Sequence, residues 1–194
     1  LDEARRLDGE AGVEISYVIA TAEVTGLPDA SFDVVSAGQC WHWFDRTRAA
    51  LEARRLLVSA GRLVIAHFDW IPLPGNVVEA TEQLIEQHNA EWRLGGRNGV
   101  YGPWLRDVAV AGFSDIETFS FDVHVPYTHE AWRGRIRASA GIAASLPPDA
   151  VAKFDDDLRQ LLAAQFPAEP LQTLHRVFAL VCRSAPSAIL GAGR

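Results

Sequence analysis

Residues 20–44 read Ala-Thr-Ala-Glu-Val-Thr-Gly-Leu-Pro-Asp-Ala-Ser-Phe-Asp-Val-Val-Ser-Ala-Gly-Gln-Cys-Trp-His-Trp-Phe. A turn of small residues ending at Glu23 passes through the Gly26-Leu27-Pro28-Asp29 loop into an apolar run, Phe32 to Ala37, of the length of a buried strand. The run ends on Gly38 and Gln39, and an aromatic–histidine cluster follows, Trp41-His42-Trp43-Phe44. In open α/β sheets ligands lie beyond the carboxyl ends of the strands. This stretch therefore supplies two such ends, close together in sequence.

Working outward, Asp45 has the side chain of a helix N-cap. Ala49, Ala50, Ala53, Leu56 and Leu57 give the apolar stripe of a helix from Arg46 to Val58. Gly61 closes it, and Arg62 to Phe68 reads as the next strand. Strand, helix and strand at this spacing make a right-handed crossover in a parallel sheet. Upstream, Leu1, Ala4 and Leu7 recur at helical spacing over residues 1–8, and Gly9 and Gly12 punctuate the end. Val13 to Ala20 mixes β-branched and aromatic residues and reads as a strand.

Downstream, Pro72 and Pro74 break the chain before Asn76 caps a helix from Val77 to about Arg93. Val78, Leu84, Ile85, His88 and Trp92 are expected on its packed side. Gly95, Gly96, Gly99 and Gly102 form a glycine-rich loop ahead of a short helix, Pro103 to Ala111. Phe119, Phe121, Val123 and Val125 alternate with polar neighbours, which predicts a half-solvated strand over Phe113 to Val125. A helix from Thr128 or His129 through Ala144, another opening at Pro147-Pro148-Asp149, and a last strand from Leu174 to Cys182 complete the order. Residues 184–194 read as a frayed tail.

Hydrophobic content of 48% and charged content of 22% over 194 residues fit one globular domain. A formal net charge of −7 argues against a nucleic-acid partner, which needs a basic face. Two cysteines, Cys40 and Cys182, are too few for a disulfide framework and suggest a reducing compartment, with the cytoplasm as default. No apolar stretch approaches the ~18 residues of a bilayer span, and Leu1 to Leu7 lacks the apolar core of a signal peptide. The chain contains no methionine and opens as if inside a helix, so natural sequence is expected upstream of Leu1.

The Ala22-Glu23 turn, the Pro28-Asp29-Ala30-Ser31-Phe32-Asp33 loop, the His42-Trp43-Phe44 cluster and the Ala60-Gly61-Arg62-Leu63-Val64-Ile65 strand occur in that order. Together they resemble class I S-adenosylmethionine-dependent methyltransferases, most of all the small-molecule branch that acts on quinone precursors, carboxylic acids and similar metabolites. The resemblance covers Leu1 to about Trp70 and Phe113 to Val125. It implies an α/β fold: a Rossmann-like, mostly parallel sheet with helices on both faces and a helical lid. One domain over residues 1–194 is expected, with 1–71, 112–126 and 172–184 as sheet core and 72–111 and 127–171 as lid segments. The family's Gly-x-Gly loop, and the acidic strand end that holds the ribose, do not precede residue 20, so the N-terminal strands of that fold are expected outside this sequence.

By resemblance, Thr21, Ala22 and Glu23 occupy the adenine-contact turn. Ala37, Gly38 and Gln39 sit at the strand end that receives the methionine part of S-adenosylmethionine, the implied cofactor. Family members often carry Asp where Thr21 stands; a hydroxyl still hydrogen-bonds an adenine edge but brings no charge. The same residues also suit an ordinary turn and ordinary strand-to-helix packing. An aromatic face attracts a sulfonium, which makes Trp43 a cofactor candidate, while an aromatic run before a helix also serves as a hydrophobic staple. One of Trp41 and Trp43 is expected in the core and the other at the cleft. His42 and His67 are the candidates for a base. Tyr101, Tyr127, Trp132 and Arg133 are expected to meet the substrate from the lid, and Arg97, Arg133, Arg135 and Arg137 have the charge to pair with a carboxylate.

Other chemistries lack their residues. The six histidines show no His-Glu-x-x-His spacing and the cysteines lie far apart, so no metal is expected. Lys153 is the only lysine, which removes the Tyr-x-x-x-Lys dyad of short-chain dehydrogenases, and no Gly-x-Ser-x-Gly elbow occurs. The leading reading is methyl transfer from S-adenosylmethionine to a small molecule; the alternative is a catalytically degenerate methyltransferase-like binding or scaffold protein. Neither nucleic acid nor membrane is expected as a partner, and a homodimer is among the options.

Overall fold

Every second residue from Gly61 to His67 is buried in β2 (Leu57–Trp70), with Leu63 and Ile65 at 0% exposure. A strand covered in this way has a neighbour on each side or a layer above it. In the computed structural model, which describes residues 1–185, it has neighbours. β1 (Phe32–Gly38), β2, β4 (Leu171–Ser184) and β3 (Phe113–Tyr127) form a four-stranded sheet in that order.

Side-chain and backbone pairs fix the strand directions. Ile71 N–H donates to Leu174 O at 2.9 Å and Cys182 Sγ reaches Leu63 O, so β4 runs antiparallel to β2. Arg176 pairs with Asp122, and Arg183 with Asp115, which makes β4 antiparallel to β3 as well. Just ahead of β1 and β2, Ala30 and Ser31 donate to Arg55 O and Leu56 O, so these two strands start side by side. Three of the four strands point one way and β4 runs against them. This is the Rossmann-like, mostly parallel arrangement implied by the sequence.

The helices begin where capping residues predict. Asp45 Oδ1 accepts from Arg48 N at 3.2 Å to open α2 (Arg46–Leu56). Asn76 Oδ1 accepts from Glu79 N at 2.8 Å ahead of α3 (Val77–His88). Thr128 Oγ1 accepts from Ala131 N at 3.1 Å ahead of α5 (His129–Arg137). Each satisfies a donor that the first helical turn leaves open. The remaining helices are α1 (Asp2–Ala11), α4 (Gly102–Val110) and α6 (Pro148–Gln165).

Several boundaries differ from expectation. Val13 to Ala20 is not a strand: among the described residues no ladder includes it, and beyond Val13 N–H donating to Asp8 O at 3.0 Å an extended segment without a ladder gains little to hold it. Tyr17 OH instead donates to the Asp8 carboxylate at 2.8 Å, folding the segment back toward α1. β2 begins at Leu57, directly after α2, rather than at Arg62. α3 stops at His88, short of Arg93, because the Asn89 side chain leaves the helix to donate to Gly141 O at 2.8 Å. Trp92 nonetheless packs against the same apolar cluster as α3. α5 ends at Arg137, and turns rather than helix continue to Ala144. The tail expected over 184–194 lies, from residue 186 onward, outside the described residues.

The chain forms two compact units. The first comprises Leu1–Val64, Pro103–Ile116 and the chain from Val181. In it α2 buries Ala49, Ala50, Ala53 and Leu56, and it is tied to the α4 region by Arg46–Asp107 at 2.7 Å and Arg54 Nη1 donating to Ala111 O at 2.9 Å. The second comprises Ile65–Gly102 and Glu117–Leu180. There α3, α5 and α6 share a core in which Val78, Ile85, Trp132, Ile136, Phe154 and Leu158 are fully buried. Each large side chain so buried contributes about 1.5–3 kcal/mol. Trp132 keeps its polar atom satisfied, donating from Nε1 to Thr81 Oγ1 at 3.1 Å. Among the described residues no helix is long and apolar enough to cross a membrane.

Candidate functional site

β1 ends on Ala37, buried at 6% exposure, and Gly38, where an added Cβ would meet no atom within 4 Å. The backbone there is open to close approach by a ligand. Gln39 follows with φ of +58°, in the left-handed region that a non-glycine residue enters only at a cost of about 1–3 kcal/mol. The chain then makes one tight 3-10 turn, Trp41–Trp43, with Trp43 N–H donating to Cys40 O at 2.9 Å. That turn divides the aromatic cluster. Trp41 is buried at 2% exposure, while Trp43 stands 61% exposed with the His42 ring centroid 4.5 Å from its own.

The upstream turn is held against the same helix end. Glu23 Oε1 accepts from Asp45 N at 2.9 Å, so Glu23 is pinned to the N-cap of α2. Thr21 bridges to Val24 and is exposed, and Ala22 is half-buried. Just beyond, Glu52 accepts from Thr25 N at 2.8 Å and from Arg55 Nε at 2.8 Å. The Arg55 hydrogen bond, outweighing burial, holds the Glu52 carboxyl down at about 2. All of these residues belong to the first unit. A glycine backbone with open space, a satisfied acidic turn and an exposed indole therefore lie together at this strand end.

A second polar cluster lies in the other unit. His67 and Asp69, two residues apart on one face of β2, meet through His67 Nδ1, 3.0 Å from each carboxylate oxygen of Asp69. Tyr101, on the loop ahead of α4, donates its OH to Asp69 Oδ2 at 2.5 Å, and its oxygen lies 3.1 Å from His67 Nδ1. Burial works against the Asp69 charge, but hydrogen bonds from His67 and Tyr101 and the charge of Arg97 outweigh it and hold the carboxyl below its ordinary value. Burial, then the Asp69 hydrogen bond, pushes the Tyr101 phenol up. His67 and Tyr101 are buried at 6% and 7% exposure.

The glycine-rich loop that delivers Tyr101 is anchored along its length. Glu82 accepts from Gly96 N at 2.8 Å and Arg176 Nη1 donates to Asn98 O at 2.9 Å. At Gly99, φ is +69° and an added Cβ would lie 3.0 Å from both Arg176 and Ile71.

Of the residues expected at the substrate, Tyr101 joins His67. Tyr127 stacks near His175, with ring centroids 5.8 Å apart, and packs against Trp132 at 5.3 Å. Trp132 is fully buried, and Arg133 is engaged by Asp155 and by Glu130 at 2.9 Å, so both act here in packing and ion pairing. Asp69 went unread in the sequence although its period-two spacing from His67 was a usable signal.

A family model described as "Methyltransferase domain" matches residues 1–65. Over this stretch, a third of the chain, the sequence is similar to that family. Across 46 residues it is 46% identical to an "Uncharacterized methyltransferase" of Mycobacterium tuberculosis and to one of Mycobacterium bovis. That match spans 24% of this chain and 19% of the length of those relatives.

Solved structures extend the likeness beyond the matched stretch. YcgJ of Bacillus subtilis is similar with a TM-score of 0.57 at 18% identity, over 96% of this chain and 78% of that one. A Bacillus halodurans protein provisionally named a methyltransferase gives 0.51 at 16%, over 93% and 76%. The [4+2]-cyclase SpnF gives 0.51 at 20%, over 95% and 62%. At these identities the methyltransferase fold is what is shared.

Proposed function

We propose that this methyltransferase domain serves S-adenosylmethionine-dependent methyl transfer to a small-molecule acceptor, in the cytoplasm. The observation that carries the reading is the end of β1, where open backbone at Gly38 is followed by left-handed Gln39 and the exposed Trp43 ring. Thr21, Ala22 and Glu23 would hold the adenine edge; Ala37, Gly38, Gln39 and Trp43 would hold the methionine part. When bound, the sulfonium supplies an already activated methyl group. The chain's own work is to align the acceptor, exclude water and take up any proton released. His42 and His67 are the candidates for that last task, and two free cysteines suit a reducing compartment. Self-association as a homodimer belongs to the same reading.

Titration calorimetry of the full-length protein tests it. Binding of S-adenosylmethionine is expected, weakened about tenfold or more by Gly38→Val, which fills the open backbone. No heat of binding at millimolar ligand would overturn the reading.

A further inference from the structure

We propose that the layer between α5 and the sheet is a binding site for a small hydroxycarboxylic acid, its carboxylate on Arg135 and its hydroxyl on His175. The site lies wholly in the second unit. It goes beyond the methyl-transfer reading and does not depend on it.

Arg135 is an arginine without a carboxylate. Its neighbours on α5, Arg133 and Arg137, share Asp155 and Glu130. Arg97 lies by Asp69, whose carboxyl it helps to lower. Arg135 is half-buried, with its Nε unpartnered, and has no hydrogen bond or ion pair among the described residues. Its guanidinium carbon stands 5.2 Å from the centre of the Trp70 ring, a contact that holds the cation but leaves its N–H groups unpaired.

β4 presents the matching half. Leu171, Thr173 and His175 alternate onto one face of that strand, and Leu171 belongs to the core shared by α3, α5 and α6. Thr173 and His175 are fully buried, yet Thr173 Oγ1 and His175 Nε2 have no partner. His175 Nδ1 lies 3.0 Å from Thr173 O; a carbonyl only accepts, so Nδ1 carries the hydrogen and Nε2 is a bare acceptor. Burial, helped by the charge of Arg135, outweighs that hydrogen bond and holds the ring below its ordinary value, hence neutral.

Trp132 brings the two halves together. It shares a helix face with Arg135, and its ring lies 5.7 Å from Trp70 on β2 and 5.3 Å from Tyr127 on β3. Tyr127 stacks near His175 at 5.8 Å, and Phe68 stacks on it at 4.6 Å. Aromatic rings thus surround buried polar atoms that do not pair with one another. Ser139 Oγ, in the turn after α5, is a further one.

Native cores leave few polar atoms unpaired, so several together mark a place built to meet the polar groups of another molecule. Water would satisfy the hydrogen bonds but not the charge of Arg135. A carboxylate satisfies both, through the forked N–H groups of the guanidinium. It cannot satisfy His175, because a carboxylate and a bare ring nitrogen both accept. A hydroxyl can, by donating to Nε2. One molecule carrying both groups matches both residues, and the aromatic rings receive its carbon body.

The probes are lactate and mandelate, titrated into the full-length protein without S-adenosylmethionine and followed by calorimetry and by indole N–H spectra. Saturable binding at millimolar concentration is expected for at least one of them. Its analogue without the hydroxyl, propionate or phenylacetate, is expected to bind several-fold more weakly. Its analogue without the charge, propylene glycol or phenylethylene glycol, is expected to lose about tenfold or more. Arg135→Gln should weaken the acid by the same factor, with Arg135→Lys recovering part of it. His175→Gln should erase the advantage of the hydroxyl. The wild-type ratios decide the question even where a variant fails to fold. No saturable binding of either probe overturns the site, and equal binding of the uncharged or the hydroxyl-free analogue overturns the pairing. Because the cofactor is left out, failure of S-adenosylmethionine binding would defeat methyl transfer and leave these results standing.

Discussion

Between residues 13 and 44 large apolar side chains face water: Ile19 is 88% exposed, Trp43 61% and Val34 54%. In α3, α5 and α6 the corresponding groups, Trp132, Ile136, Phe154 and Leu158, are fully buried. The first stretch is held by a few charged contacts, Glu23 on the Asp45 backbone and Glu52 on Thr25 and Arg55. The second is held by apolar burial, with polar atoms satisfied in passing. A surface left unfilled takes its shape from hydrogen bonds at its margins, whereas a filled core takes it from packing.

Four substitutions probe that contrast. Phe154→Ala in the helical core is expected to cost the most, about 3–5 kcal/mol by chemical denaturation, because the cavity has rigid walls. Glu52→Ala on the exposed side is expected to cost about 2 kcal/mol, the scale of hydrogen bonds to one charged group. Its mechanism has a pH signature. The Glu52 carboxyl is lowered from 4.5 to about 2 in the fold, so its contribution is full above 4.5 and fades as pH falls toward 2. Acid titration of stability should therefore be steeper in the wild type than in Glu52→Gln over that window; equal slopes would mean that burial, not charge, holds this side together.

Gly99→Ala is expected to cost about 1–2 kcal/mol, since φ is +69° and the new Cβ crowds Arg176 and Ile71. The same variant should also shift Tyr101 away from Asp69, and an unchanged tyrosine environment by NMR would detach the loop from that cluster. Trp43→Ala sharpens the comparison from the other end. Stability should move by less than about 0.5 kcal/mol, while S-adenosylhomocysteine binding weakens severalfold. A large loss of stability would place Trp43 among the packing residues after all.

Much of the fold was legible because its signals are local. Asp45 and Asn76 were readable as caps, and each accepts the expected hydrogen bond within three residues; of Thr128 and His129, read alike as opening a helix, Thr128 does the same. The alternation after Gly61 and the stripe of α2 were equally direct. Val13 to Ala20 misled because β-propensity describes fitness for a sheet and supplies no partner. Helix ends misled where a side chain found a distant acceptor, as Asn89 finds Gly141 O across 52 residues. The site divides in the same way. Trp41 and Trp43 parted into buried and exposed members, as their run before a helix suggested.

By itself the sequence determined most of the elements, their order and the strand end at Ala37 to Gln39, though not the fate of Val13 to Ala20, because caps, periodicities and turn chemistry act over a few residues. Only the tertiary structure decided that Tyr101 meets Asp69 and His67, 32 and 34 residues away, and that Trp132 and Arg133 are spent on packing and ion pairs. Which side chains meet across such distances depends on how the strands and helices close on one another, and no local pattern records that closure.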